Sequence, residues 1–134
     1  MNILKLLLCL LILSTSCSPD PAKSTTQSGE GLIKISIMYA NATGNTFDMD
    51  YYASKHMPML AETFGEAMMK YEIDSGISGR TADETAPYIA IGHLYFYRLS
   101  DYENLFGQHR KKILGDIPNY TNLTPSIQIS RVIN

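Results

Sequence analysis

Hydrophobic and polar positions alternate from the start of the folded region. Ile33, Ile35, Ile37 and Tyr39 are separated by Lys34, Ser36 and Met38, the period of a strand with one apolar face. Asn41-Ala-Thr-Gly-Asn45 supplies a turn, and Thr46 or Asp48 caps the helix expected next, with Asp48 and Asp50 complementing its N-terminal dipole. Tyr51, Tyr52, Met59, Leu60 and Phe64 supply an apolar side, but their spacing slips around Pro58. Proline has no N–H, so the Ser54 carbonyl loses its helical partner and the ring crowds it. A bend or restart beside His56 is therefore expected, and Gly65 suits the end of the element.

Residues 67–77 form a second strand candidate, and a polar loop over 78–87 separates it from the strongest strand pattern of the chain, 88–97. There Ala90, Gly92, Leu94 and Phe96 fall on one face and Ile89, Ile91, His93, Tyr95 and Tyr97 on the other, so neither face suits bulk water. Ser100 or Asp101 caps a second helix carrying Tyr102, Leu105, Phe106, His109 and Ile113 at helical spacing and ending near Gly115. A loop at 118–122 and a last strand over 125–133 complete a βαββαβ order, the α+β, ferredoxin-like arrangement. One helix layer covers one face of a four-stranded sheet. The other face needs its own cover, and a second copy of the chain provides it, which predicts a homodimer built as a dimeric α+β barrel with a small semi-polar cavity in each subunit.

The N-terminal segment has a different character. Lys5, the apolar run Leu6–Leu13 and the small residues Ser14-Thr-Ser16 precede Cys17, the layout of a signal peptide, and the run is too short to span a bilayer. Small residues before a cysteine match a bacterial lipobox, although Ser14 stands where leucine is most common. Residues 1–17 are thus expected to be a lipoprotein signal with Cys17 as the acylated residue, 18–31 a flexible tether and 32–134 one domain. This places the protein in a bacterial cell envelope, outside the cytoplasm, held to the membrane only by its lipid.

The charge balance is −2, and loss of Lys5 with the signal leaves ten basic against thirteen acidic residues. No basic stripe exists to hold nucleic acid. With Cys9 removed and Cys17 acylated, the mature chain has no thiol for a disulfide, a nucleophile or a cysteine-ligated metal.

Several segments occur together in order: Phe47-Asp-Met-Asp-Tyr-Tyr52, His56-Met-Pro58, Ala90-Ile-Gly-His-Leu-Tyr-Phe96, and Asp116-Ile-Pro-Asn-Tyr-Thr121 leading to Ile127-Gln-Ile-Ser130. In these the chain resembles the EthD family over nearly all of 32–133. The resemblance implies the dimeric α+β barrel. The family is associated with bacterial degradation of alkyl ethers, and its members often carry the label of reductase.

The chemistry available is that of His, Tyr, Ser and carboxylates. There is no metal-ligand spacing, no Gly-rich phosphate loop and no nicotinamide or flavin fingerprint, so neither metal nor cofactor is expected. This conflicts with the reductase label, because a reductase needs a hydride source.

His56 is the leading general acid or base, since histidine titrates near neutral pH, with Tyr51 or Tyr52 orienting its ring. The alternative is an ordinary helix-end histidine bonded to a loosened carbonyl. His93 and Tyr95 share a strand face beside Ser36, Met38 and Gln128 and are candidates to protonate or bind a carbonyl or phenol, or else are core residues with satisfied polar tips. The expected catalytic set is His56, Tyr52 and His93, and the binding set Ser36, Met38, Tyr51, Tyr95 and Gln128. Two functions follow: an EthD-like enzyme, an oxidoreductase or a cofactor-independent isomerase, cyclase or dehydratase, acting on a small apolar or aromatic carbonyl or phenolic compound; or a non-catalytic lipoprotein that binds a hydrophobic ligand.

Overall fold

The apolar alternation that begins at Ile33 becomes one of the two inner strands of the sheet in the computed structural model, which describes residues 29–134. The expected signal, Cys17 and most of the 18–31 tether lie outside the described residues. β1 (Ile33–Ala40) leads into α1 (Met49–Tyr51), a π-helical segment (Tyr52–His56) and α2 (Met57–Phe64). β2 (Met68–Ser75), β3 (Tyr88–Phe96), α3 (Leu99–Asp116) and β4 (Ser126–Arg131) follow. The strands form one sheet in the order β2-β3-β1-β4, and every neighbouring pair is antiparallel. This is the ferredoxin-like α+β fold that the alternation predicts.

Register decides which residues share a face. Ile35 lies opposite Leu94 and Ile129, while Ser36 lies opposite His93 and Gln128. Ile35 and Leu94 of the first row face the helices and enter the core with Tyr39, Tyr52, Met57, Leu60, Phe64 and Phe96, all buried, while Ile129 on the edge strand is exposed. Phe64 meets Phe96 edge-on at 5.2 Å, which fixes α2 over β3. Burying each such side chain contributes roughly 1.5–3 kcal/mol.

Helix ends follow local chemistry. Asp48 Oδ1 accepts the Tyr51 N–H at 2.9 Å, so Asp48 rather than Thr46 is the cap. α2 ends on Gly65 with φ +54°, a conformation glycine adopts without strain. The start of α3 differs from expectation. The helix begins at Leu99 behind Arg98, with no side-chain cap, because the Asp101 carboxylate grips the Arg98 guanidinium at 2.9 and 3.0 Å instead.

Among the described residues no helix is long and apolar enough to cross a membrane.

Candidate active site

Pro58 shapes the site through the turn that precedes it. Of the expected bend or restart, the structure has the second: the chain widens by one residue over Tyr52–His56, the Met57 N–H reaches back to the Tyr52 carbonyl, and the α-helix resumes at Met57. Ser54 Oγ donates to the Asp50 carbonyl at 2.6 Å within this stretch. Turns of this kind insert a residue without ending the helix. Here the result buries Tyr52 and His56 together, their rings stacked at 5.6 Å and 16°.

His56 is 3 % exposed and its Nδ1 lies 2.8 Å from Asp116 Oδ2. Asp116 is the last residue of α3, sixty positions away. Its other oxygen, Oδ1, accepts from the Tyr51 hydroxyl and from Asn119 Nδ2, both at 2.9 Å. Tyr120 closes over His56 with its ring centroid 4.7 Å away.

Burial acts to raise the Asp116 carboxyl, but the hydrogen bonds from His56, Asn119 and Tyr51 outweigh it and hold the group below the ordinary carboxylate value. An ionised carboxylate only accepts, so His56 carries its proton on Nδ1 and keeps the Nε2 lone pair. Burial lowers the His56 midpoint more than Asp116 raises it, so the ring rests neutral. Among the described residues no hydrogen bond reaches Nε2.

His56 lines a cavity of about 500 Å³ between the helices and the sheet. Its walls are mostly apolar, from Leu60, Phe64, Phe106, Ile113, Leu123 and Ile127, with Tyr39, Tyr102, Thr121, Asn122 and Thr124 as polar exceptions. The geometry offers one base beside a greasy pocket, an arrangement suited to taking a proton from a bound apolar molecule.

The other expected site residues lie across the sheet. His93 Nδ1 meets Ser36 Oγ at 3.0 Å and its Nε2 meets Asp74 Oδ2 at 3.0 Å, so both ring nitrogens are occupied. Tyr95 donates to Glu72 at 2.6 Å and is pushed up to about 12 by burial and by that carboxylate. Gln128 bonds Ser130, and Met38 pairs in register with Ile91 and Ser126.

His93, Ser36, Met38, Tyr95 and Gln128 therefore form a separate polar patch and do not join His56. The sheet alternates sides at every residue, and Ser36 and Met38 fall on the side away from Ile37 and Tyr39, which line the cavity. The cavity beside His56 is apolar and on the helix side, whereas the expected semi-polar one was between sheets. Tyr52 has no hydrogen-bond partner for its buried hydroxyl, which lies against Gly92. Its contact with His56 is through the ring.

An EthD-like protein of Ralstonia eutropha JMP134 has a solved structure that matches at 32 % identity and TM-score 0.75, covering 78 % of this chain and 95 % of that one. The chain belongs to the EthD-like family. An ethyl tert-butyl ether D family protein of Bacillus halodurans C-125 shares the fold at 8 % identity and TM-score 0.55, covering 76 % of this chain and 99 % of its own. No family sequence model matches, and no curated protein does either.

For this EthD-like chain, sequence reasoning missed Asp116 and Asn119 as the groups that hold His56. Both sit in the Asp116-Ile-Pro-Asn-Tyr-Thr121 run that carries the family resemblance, and that run was the available signal. A short 3₁₀ turn over Ile117–Asn119 folds Asn119 back onto Asp116, while the Phe47–Thr121 bridge draws the run beside the start of α1. Among the described residues no cluster of His, Cys, Asp and Glu could hold a metal ion.

Proposed function

We propose that this EthD-like protein is a small-molecule enzyme that moves a proton on an apolar carbonyl or phenolic compound, with His56 as general base and then acid. The supporting observation is the His56–Asp116 pair set into the wall of an apolar cavity. His56 Nε2 takes a proton from the carbon beside a carbonyl, and the C–H electrons form the enolate. The imidazolium that results is stabilised by Asp116. The same ring then returns the proton, to another atom for isomerisation or to a departing hydroxide as water for dehydration. Neither outcome transfers a hydride. Tyr51 and Asn119 hold Asp116 still while the charge appears on His56.

The test is deuterium exchange into the methyl group of acetophenone in heavy water, followed by NMR. The parent chain is expected to accelerate exchange, and His56→Ala to lose on the order of 10²–10⁴-fold of that acceleration. Acetophenone binding with no acceleration in the parent would favour the second reading, a hydrophobic-ligand-binding protein, which the apolar cavity also suits.

A further inference from the structure

We infer that Tyr39 is the hydrogen-bond donor to the ligand's oxygen, so that the cavity selects carbonyl compounds over hydrocarbons of the same shape. The inference rests on the cavity beside His56 being the ligand site. Tyr39 and Tyr120 hydroxyl oxygens are 2.6 Å apart, and the residues are 1 % and 3 % exposed. Two hydroxyls carry two protons, and the bond between them uses one. Among the described residues neither oxygen has a second partner, so one buried O–H lacks an acceptor.

Tyr39 lines the cavity beside His56, and Tyr120 does not. With Tyr120 donating to Tyr39, the Tyr39 proton has no protein acceptor among the described residues and is available to a bound oxygen. Donation from Tyr120 also strengthens Tyr39 as a donor. Burial pushes Tyr39 up to about 12, so it stays a neutral O–H.

Of the other polar groups of the cavity wall, Tyr102 packs among Phe64, Phe96 and Phe106, whereas Tyr39 and His56 share the neighbours Tyr52 and Tyr120, and Thr124 is exposed. The Thr121 hydroxyl donates to the Thr46 carbonyl at 2.6 Å. Asn122 Nδ2 donates to the Gly44 carbonyl and its Oδ1 accepts from the Thr46 N–H, in an exposed position. Neutral His56 offers only a lone pair at Nε2. A ligand that lays an acidic C–H against His56 and an oxygen against Tyr39 engages both: a ketone or aldehyde on an apolar body.

The experiment compares binding of acetophenone and α-methylstyrene, which replaces the carbonyl oxygen by a methylene, to the full chain and to Tyr39→Phe. The parent's preference for the ketone, as a ratio of dissociation constants, is expected to fall about tenfold in the variant. An unchanged ratio overturns the assignment of Tyr39 and leaves the site by His56 standing. If neither compound perturbs the NMR signals of Leu60, Phe106 and Ile113, the site itself is wrong and the inference falls with it.

Because Tyr39→Phe leaves Tyr120 without its partner and can unfold, the infrared carbonyl stretch of acetophenone bound to the parent provides a second reading. A band below its position in hexane supports a donor at the oxygen, and an unshifted band overturns it.

Discussion

Burial lowers the His56 midpoint because charging an imidazole among Tyr52, Tyr120 and the cavity wall costs more than Asp116 returns. The unfolded chain then binds a proton at a pH where the folded chain does not, so stability is full above the ordinary value of 6.5 and is lost as pH falls toward the folded midpoint. Asp116, also lowered, adds loss of the same sign at more acidic pH. Chemical denaturation at pH 7 and pH 5.5 should show the drop, and His56→Gln, which does not titrate, should remove the part between these values.

Tyr52 carries a different expectation. Its buried hydroxyl has no partner, and such a group costs about 1–3 kcal/mol. Tyr52→Phe should therefore unfold at the same or a higher urea midpoint and keep its exchange activity. A large loss of activity would instead make that hydroxyl part of the chemistry.

The widened turn at Tyr52–His56 is the element on which the site depends. Removing exposed Ala53 shortens it to an ordinary α-helical turn and abolishes the widening that sets Tyr52 and His56 into the core together. Helical circular dichroism should persist, while acetophenone exchange falls on the order of 10²-fold because His56 and Tyr51 no longer face Asp116 together. Equal activity would show that the turn is incidental.

The slip around Pro58 made an irregularity here legible in the sequence, but not its form, since a bend and a π-helical turn answer the same missing N–H. Strand faces were more legible, because Ile35 and Leu94 alternate with Ser36 and His93 at period two. The same alternation shows why His93 is not beside His56. Asp116 could not be read as a partner, because its contact depends on the fold bringing the end of α3 to the start of α1.

At the scale of the whole molecule the two faces of the sheet have separate roles. One faces the helices and holds the cavity. The other presents the Ser36–His93–Asp74 chain with half-buried Met38, Ile89 and Ile91 and exposed Tyr97. A face of this mixed character is the one proposed to meet a second copy, leaving each His56 site intact within its own subunit. Native mass spectrometry of the chain from Ser24 should give a dimer, and Ile91→Arg should give monomers that retain the acetophenone response. A monomeric parent would leave that face without its proposed partner.

His56 as a neutral base aimed at a ligand is open to ¹⁵N NMR of its ring in the parent chain. A proton on Nδ1, a midpoint below 6.5 and an Nε2 resonance that moves when acetophenone binds are expected. A proton resting on Nε2, or an Nε2 signal indifferent to bound ketone, would contradict that role.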